Sequence, residues 1–519
     1  MKNKQSFRLC LLAAFLFAAC EKAGDNPEAP FLTVLPDAVE FQEEGGSIDI
    51  TVETNQRTWN AVSNESWCLV EQAGAAFRIS AVANDDPVDR LAEVVVTAGT
   101  LTKEIPVRQR AAVVPGPPVV DLSDHGTSNC YIVSHAGRYS FDATVIGNGA
   151  AGIIDPDRFH TDHPSIAPVS AKLLWQDYYA PDGRALITSA ALSDGGDRVE
   201  FTTADPLIPG NALIAVYDGD DRILWSWHIW MPSVAVTSFV SATGYEVMNL
   251  NIGALTGDTA NPKSYGMLYQ WGRKDPFPAA ATLLGTTATL GTPLYDDAGR
   301  QVEISHSNRT DLTHNNLTYA VRNPTVCLSN YAQYTASRDW LRADLRSDAL
   351  WGNPQGGRKD ANNQYVHKGV KSCYDPCPPG WRVPPVDVFR TFTPSGGYEW
   401  ADDRDVVSFD VVDRNGDGAL SLADYSYGWQ FYLHKAANTF SYFPAAARYD
   451  GQYAMLMGSM SGLWGAYWGN APYESATEGM GFSVLSFQIR AYGGAKEITA
   501  SPTAGGARAD AYSVRCIKE

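Results

Sequence analysis

The sequence lacks any cluster of basic residues. Its 58 Asp and Glu residues outnumber its 40 Lys and Arg residues, which leaves a formal charge of −18 at neutral pH. Nucleic acids and anionic membrane surfaces attract proteins through clustered Lys and Arg side chains. The composition therefore argues against both as direct partners of this chain.

A hydrophobic run long enough to span a bilayer is also missing near the N-terminus. The apolar run from Leu9 to Ala19 is shorter than the ~20 residues that a transmembrane helix needs. It follows Lys2 and Arg8, and two alanines stand directly before Cys20, as in a secretory signal that ends in a lipobox.

We therefore interpret residues 1–20 as a lipoprotein signal peptide with Cys20 as the lipid attachment site, and a transmembrane helix is the alternative. Residues 21–30 are rich in Glu, Asp, Gly and Pro and read as a flexible leader. This interpretation predicts an exported bacterial protein that is lipid-anchored at the outer membrane or cell surface, with the lipid as its membrane contact.

Catalytic signatures are scarce. The sequence has no nucleophile elbow, phosphate-binding loop or zinc-binding spacing. His228 lies within an aromatic run, where a packed and hydrogen-bonded histidine is the expected role. Glycoside hydrolysis needs two carboxylates in one cleft, and the sequence supplies carboxylates without an evident pairing. We therefore expect a non-catalytic binding or adhesion protein for a glycan or protein ligand, with a surface glycan-degrading enzyme or an accessory subunit of a polysaccharide-utilisation system as the alternative.

The chain is long enough for about three domains, and its sequence shows patterns typical of β-strands. In residues 31–112, Ile48, Ile50 and Val52 alternate after a glycine turn, and Trp59 and Trp67 are the expected core aromatics. Short strands at this spacing favour a small β-sandwich.

Several short motifs in this segment carry a resemblance to a known family. Gly45-Gly46-Ser47, Ser66-Trp67, Ala83-Asn84, Arg90 and Val107-Arg108-Gln109 resemble the BACON domain, an Ig-like module of Bacteroidetes surface proteins. The resemblance implies an Ig-like fold and either carbohydrate binding or a spacer role.

A second β-rich region follows a stiff Pro/Gly linker at residues 113–118. We interpret residues 119–235 as a second β-sandwich that ends in the alternating strand from Ile223 to Trp230. Another aromatic run, Gly266 to Phe277, opens the remainder of the chain. The stretch from Ile223 to Phe277 is therefore predicted to lie where two domains abut.

Residues 236–519 carry a second resemblance. The segments Asn251-Ile252-Gly253-Ala254, Gly266 to Phe277, Asp375 to Pro384 and Tyr512 to Cys516 are similar to the Fibrobacter succinogenes major paralogous domain. That family implies a C-type-lectin-like α+β fold. The sequence departs from the family at Asn249-Leu250, where relatives have an acidic residue and an arginine, so a charged contact of that pair is expected to be absent.

The cysteines suggest how this region is held together. Cys377 precedes a Pro-Pro-Gly turn and Cys516 lies in an alternating terminal strand, so a bridge between them would pin the C-terminus to the core. Cys327 and Cys373 are a second candidate pair. A metal site formed by Cys373 and Cys377 is the alternative. The spacing of these cysteines is not that of a zinc knuckle, and the compartment of an exported protein oxidises thiols.

The most specific chemical motif lies at residues 413–424. Oxygen donors occur at positions 1, 3, 5, 9 and 12 of a twelve-residue loop with glycine at position 6, which is the pattern of an EF-hand calcium loop. Asp424 at position 12 resembles the dockerin version, although dockerins have two loops. An acidic surface turn is the alternative to a structural Ca²⁺ site. The predicted ligands are Asp413, Asn415, Asp417, the Ala419 carbonyl, Ser421 and Asp424.

A final stretch, residues 461–470, interleaves aromatic rings with glycines. Such rings can stack on sugars when they are exposed, or pack against glycine backbone when they are buried. Trp464, Tyr467 and Trp468 are therefore possible ligand-binding residues, and a core role is the alternative.

Overall fold

The computed structural model describes residues 29–112, 118–150, 164–286, 288–309, 311, 313–330, 338–393, 410–418, 421–453, 455–473, 479–492, 495–501 and 504–519. The chain divides into two compact units, Met1–Gly116 and Pro117–Glu519. Most of the regular structure is β-sheet. None of the helices in the described ranges has both the length and the apolar character to cross a membrane. Cys20 lies outside these ranges, so lipid attachment stays a prediction.

The described residues of the first unit form eight strands. They are β1 (Leu32–Leu35), β2 (Val39–Phe41), β3 (Gly46–Thr54), β4 (Trp59–Ser63), β5 (Cys68–Ala73), β6 (Ala76–Ala81), β7 (Arg90–Ala98) and β8 (Leu101–Gln109). The strands form two sheets, ordered β1-β3-β6-β5 and β2-β8-β7-β4. Alternating residues of both sheets, such as Ile50 and Val94, are buried in one core.

The two tryptophans of this unit are less central than the sequence predicts. Trp59 and Trp67 are half-buried and pack against the core, which is filled by smaller aliphatic side chains together with Phe41 and Phe77. The guanidinium of Arg90 lies 4.5 Å from the centre of the Trp67 ring. A cation–π contact occupies one face of the Trp67 ring, so that face does not pack against the apolar core.

The second unit begins with another eight strands. They are β9 (Val119–Asp121), β10 (Cys130–Ile132), β11 (Arg138–Asp142), β12 (Ser170–Gln176), β13 (Ile187–Leu192), β14 (Arg198–Thr203), β15 (Gly210–Tyr217) and β16 (Ile223–Met231). One sheet has the order β13-β14-β11-β9, and a second sheet contains β10, β16, β15 and β12. Phe141 in the first sheet packs against Trp227 in the second, with ring centres 5.0 Å apart.

The described residues in the rest of the second unit form nineteen strands. They are β17 (Ser238–Val240), β18 (Glu246–Met248), β19 (Met267–Gln270), β20 (Phe277–Pro278), β21 (Leu294–Tyr295), β22 (Gln301–Val302), β23 (Ser305–Asn308), β24 (Val326–Ser329), β25 (Trp381–Arg382), β26 (Gly428–His434), β27 (Thr439–Pro444), β28 (Tyr449–Asp450), β29 (Met455–Leu456), β30 (Trp464–Pro472), β31 (Met480–Tyr492), β32 (Ala495–Ser501), β33 (Ala504–Ala507), β34 (Ala511–Ser513) and β35 (Ile517–Lys518). The largest sheet has β20-β19-β34-β30-β31-β32 as its main path. A four-stranded sheet has the order β17-β18-β35-β25, and β26 pairs with β27 in a hairpin.

Helical structure in the described residues is short. The α-helix is α1 (Leu317–Arg322), which begins after Asn316, whose side chain accepts a hydrogen bond from the backbone N–H of Tyr319 at 2.7 Å. The 3₁₀ segments are Pro262–Ser264, Ala343–Leu345, Val386–Phe392, Lys435–Ala437 and Gly458–Met460.

Residues on both sides of position 235 share a sheet and a core. Strand β21 pairs with β12, so the later part of the chain extends the sheet of the earlier part. Trp230 and Trp271 belong to one buried cluster, and the Trp230 Nε1–H donates to the Ala254 carbonyl at 2.8 Å. The stretch from Ile223 to Phe277 therefore runs through the shared core of the second unit.

Candidate functional site

A disulfide ties the last residues of the chain to the segment around residue 377. Cys377 and Cys516 form the bridge, as the sequence predicts. Nearby, the buried ammonium of Lys371 donates to the carbonyls of Cys377, Pro378 and Trp381 at 2.8, 2.6 and 2.5 Å. The bridge and the lysine together hold this turn against β25 and β35.

The second candidate pair is not formed. Cys327 and Cys373 are both free and buried, which corrects the expectation of a bridge between them. Burial raises the pKa of each thiol to about 12, so both stay protonated at neutral pH. They behave as small apolar side chains in the core.

The aromatic stretch at residues 461–470 lies in and before β30. Tyr467 and Trp468 are buried, and Trp464 is half-buried. Trp468 stacks on Tyr512 with ring centres 4.1 Å apart, and its Nε1–H donates to the Tyr269 carbonyl at 2.7 Å. The suggestion that these three rings bind a ligand is therefore corrected for Tyr467 and Trp468, which are core residues.

His228 is also a core residue. Its Nε2 lies 2.9 Å from the Asn211 Oδ1, and its Nδ1 lies 3.2 Å from the Tyr269 hydroxyl. Burial lowers the pKa of His228 to about 3, so the ring is neutral at physiological pH. The prediction of a packed, hydrogen-bonded histidine is confirmed.

Charged residues next to β19 form a buried cluster. The Lys274 ammonium contacts the Asp275 carboxylate at 2.5 Å and the Ser226 hydroxyl at 2.6 Å, and the Arg273 guanidinium lies 3.7 Å from the same carboxylate. All three charged side chains are nearly inaccessible. The cluster joins β16 to β19 and leaves no room for a substrate.

The predicted calcium loop, residues 413–424, starts from a segment held on β26. Val411 is bridged to Phe431, and the backbone N–H of Val412 donates to the Gln430 carbonyl at 2.8 Å. After the loop, the Tyr425 ring packs on Trp429 at 4.9 Å. Both ends of the loop are therefore fixed to the same strand.

Inside the loop, the first and last carboxylates accept backbone hydrogen bonds. The Asp413 carboxylate accepts from Gly416 at 2.7 Å and Gly418 at 2.8 Å. The Asp424 carboxylate accepts from the N–H groups of Arg414, Asn415 and Ser421. Burial raises the pKa of Asp424, but these backbone hydrogen bonds together lower it by more, so Asp424 is anionic at neutral pH.

Two glycine conformations and a side-chain hydrogen bond make the loop a tight turn. Gly416 and Gly418 have φ angles of 72° and 81°, which side-chain-bearing residues rarely adopt. The Asp417 carboxylate accepts from the Asn415 side-chain amide at 2.8 Å. Residues 422–424 form a turn. Ala419 lies outside the described residues, and across the described residues no group of three or more His, Cys, Asp or Glu side chains is gathered closely enough to hold a metal.

Three cavities of the second unit could receive a ligand. One of about 760 Å³ is lined by Glu303, His306 and Tyr449 together with threonines and apolar residues. A second of about 220 Å³ contains Asp177, whose pKa burial raises to about 6 against the effect of hydrogen bonds from Asn211.

The third cavity, of about 630 Å³, lies beside the start of the calcium loop. We call it the basic cavity. Its characteristic lining residues are Thr243, Arg390, Thr391, Tyr432, His434 and Lys435. The Lys435 ammonium contacts Asp410 at 2.9 Å, three residues before the first predicted calcium ligand. The segment from Asp410 to Asp413 therefore connects the basic cavity to the calcium loop.

Comparison with known proteins gives no family for this chain. No family model matches it, and no curated protein matches it. Among solved structures, a Bacteroides ovatus GH5 xyloglucanase is 25% identical over 24% of this chain and 30% of its own, with a TM-score of 0.16. A protein from Bacteroides thetaiotaomicron is 19% identical over 18% of this chain and 100% of its own, with a TM-score of 0.15. Tandem Ig domains of titin are 6% identical over 38% of this chain and 96% of their own, with a TM-score of 0.16. Ig domains therefore appear among the structural neighbours of this chain, and the match to the xyloglucanase spans under a third of that enzyme.

Proposed function

We propose that this chain is a lipid-anchored bacterial surface protein that binds a glycan or protein ligand without transforming it. In this proposal the first unit is a BACON-like spacer and the second unit is the binding head, with a second β-sandwich at residues 119–235 and a C-type-lectin-like part at residues 236–519. The anchor is Cys20, and structural Ca²⁺ orders the head at residues 413–424.

The observation that carries the proposal is the geometry of the calcium loop and the basic cavity. Both are built on β26, and Asp410 to Asp413 connects one to the other. Ordering the loop would therefore also order one wall of the cavity. A polar, partly preformed cavity of this size is what a small ligand requires.

The carboxylates in the cavities also favour binding. Among the described lining residues, each of the three cavities has one carboxylate: Glu303, Asp177 or Asp410. A glycoside hydrolase places two carboxyl groups about 5 to 10 Å apart on either side of the scissile bond. A cavity with one carboxylate can orient a hydroxyl but lacks the second group of that mechanism.

A glycan array probed with the full-length protein in detergent tests this function. We expect retention on a subset of glycans, and the same glycans should keep their length after prolonged incubation, as measured by a reducing-end assay. Shortened glycans would instead favour the enzyme alternative. Absence of binding to glycans and to host surface proteins would reject the binding proposal.

The calcium part of the proposal gives a separate prediction. Three carboxylates in one tight loop repel one another when no cation is bound, so Ca²⁺ should bind and raise the stability of the folded head. At a free Ca²⁺ concentration a hundredfold above the dissociation constant, the free energy of unfolding should rise by about 2.7 kcal/mol. The measurements are calorimetric titration and thermal unfolding with Ca²⁺, with Mg²⁺ as the comparison ion.

Two variants make the calcium experiment specific. Asp413→Ala should abolish the heat of binding and the stabilisation. Asp360→Ala is the matched control, because the Asp360 carboxylate also accepts two backbone hydrogen bonds, at 2.9 Å each, in a turn outside the loop. If the wild type gives no calcium heat, or if Asp413→Ala responds like the wild type, the acidic-turn alternative is correct.

A further inference from the structure

The cavity of about 760 Å³ is the largest of the three cavities described above. We call it the Glu303 cavity. Its described lining residues include threonines and apolar residues but no lysine and no arginine. Glu303 is exposed, and within the described part of the chain its carboxylate has no hydrogen-bond or ion-pair partner. The cavity therefore presents a carboxylate that lacks a counter-ion.

The charge around this cavity is complementary to a cation. Partial burial lowers the pKa of His306, so its imidazole ring is neutral at neutral pH. Glu303 is then the one charged group among the described lining residues, and the whole chain has a formal charge of the same sign, −18. A negative protein field concentrates cations and repels anions. We therefore expect a ligand that carries positive charge.

The walls of the Glu303 cavity also expose apolar side chains to water. Leu290 is 75% exposed and Met455 is 44% exposed, and the half-buried Ile304 lies on the same lining. Exposed apolar groups that surround a concave place mark sites of ligand or protein binding. The ligand should therefore carry apolar groups close to its positive charge.

A sugar is a poorer fit to this cavity. Sugars stack on accessible aromatic rings, and Tyr449 is the one Phe, Tyr or Trp residue among the described lining residues. Its ring is buried against Phe277, with ring centres 5.6 Å apart, and its hydroxyl donates to the Pro278 carbonyl at 3.1 Å. Tyr449 therefore offers neither an open face nor a free hydroxyl to a sugar.

Strands with unpaired edges border the cavity. β22 ends the sheet ordered β10-β16-β15-β12-β21-β22, and β29 pairs with β28 alone among the described strands. Gln301 and Val302 of β22 line the cavity, as do Met455 and Leu456 of β29. An unpaired edge offers backbone N–H and C=O groups to an extended peptide. A peptide can therefore use main-chain hydrogen bonds as well as the cavity side chains.

We propose that the Glu303 cavity binds an extended segment of a protein partner in which a lysine or arginine alternates with apolar residues. The cation contacts Glu303, the apolar side chains contact Leu290 and Met455, and the peptide backbone pairs with β22. Side chains two positions apart in a strand share one face, so a basic and an apolar residue can enter the cavity together. This inference rests on the proposed binding function and specifies the chemistry of the partner.

The test is calorimetric titration of the full-length protein in detergent with synthetic octapeptides. The parent peptide has Thr at alternate positions, with Lys and Leu taking turns between them. A second peptide has Glu in place of Lys, a third has Ser in place of Leu, and neutral maltohexaose is the sugar probe. The parent should bind about tenfold or more tightly than each of these, and added salt should weaken its binding.

Two N-methylated forms of the parent peptide test the backbone pairing. One carries the methyl groups on its Thr nitrogens and the other on its Lys and Leu nitrogens. Alternate N–H groups of a strand point to opposite edges, so one form should lose binding and the other should keep it. Equal binding by both forms would contradict pairing with β22.

Variants assign the binding to the cavity. Glu303→Gln should weaken binding of the parent by about tenfold or more and abolish its advantage over the Glu peptide. Leu290→Ser should weaken the parent several-fold and leave the Ser peptide unchanged. Both residues are exposed, so both variants should fold. The matched controls are Glu104→Gln and Leu69→Ser, which change exposed residues of the first unit.

Several outcomes would overturn the inference. Equal loss in Glu104→Gln would mean that net charge, and not the cavity, drives binding. Maltohexaose binding as tightly as the parent, with a loss in Glu303→Gln, would assign the cavity to neutral sugars. Glycans retained on the array while the parent peptide stays unbound would overturn this inference and leave the binding function in place.

Discussion

Replacing Cys516 by serine is expected to destabilise the second unit by about 4 kcal/mol. The bridge to Cys377 closes a loop with a sequence separation of 139 residues, so it removes much of the freedom of the unfolded chain. Its loss also frees β35, which is held by single-residue pairing to β18 and by two residues to β25. Guanidinium unfolding followed by tryptophan fluorescence measures the change.

The control is Cys373→Ser, which changes a buried thiol of the same unit that forms no bridge. It should cost less than the loss of the disulfide, and reductant should lower the stability of wild type and Cys373→Ser alike. Cys516→Ser should be insensitive to reductant. Rapid alkylation of Cys516 in the unreduced native protein would contradict the bridge.

The strands of the first unit could be predicted well where one face is buried. In β3, Ile48, Ile50 and Val52 alternate with polar residues, and burial alternates along the strand in the same way. β2 and β5 give no such pattern. β2 has three residues, and most of β5 is exposed, so neither carries enough alternation to be recognised.

Burial on both faces of a strand is harder to predict. The sequence indicates that β16 is buried on at least one side, and the structure buries nearly all of it on both. One side packs on the sheet that contains Phe141, and the other meets residues that come after position 235, such as Tyr269, whose hydroxyl contacts His228. Those neighbours lie far along the chain, so the local pattern cannot report them.

The uncharged pair Asn249-Leu250 lies next to a buried cation. The buried Arg515 guanidinium donates to the carbonyls of Asn249 and Tyr442 at 3.0 and 2.8 Å and to the Asn251 side chain at 2.7 Å. Neutral oxygens satisfy the cation, and burial lowers the pKa of Arg515 to about 10. Carbonyl positions depend on the tertiary fold, so the sequence alone does not show which oxygens satisfy this cation.

The sequence of residues 461–470 allows either exposed rings that stack on sugars or rings buried in the core. The side chains next to the glycines decide between these two interpretations. A side chain at Gly465 would come within 2.5 Å of the Phe487 ring, and one at Gly469 within 2.7 Å of Val484. These glycines make room for the side chains of β31. Close packing on this side of β30 excludes a sugar there, whereas the sequence alone allowed an exposed loop.

Replacing Trp468 by alanine is therefore expected to lower the free energy of unfolding by about 3 to 5 kcal/mol. The change removes a fully buried ring, its stacking on Tyr512 and its hydrogen bond to the Tyr269 carbonyl. Because the ring lies inside the core, ligand binding measured at a temperature where the variant is folded should be unchanged. Thermal unfolding and the glycan array measure the two effects on the same preparation.

Tyr453→Ala serves as the control for loss of an aromatic ring, because Tyr453 is 63% exposed. Its stability should stay within about 0.5 kcal/mol of wild type. A Trp468→Ala variant that unfolds like the wild type but no longer binds its glycan would show that Trp468 contacts the ligand. The reverse pattern, loss of stability with binding retained, would confirm that Trp468 is a core residue.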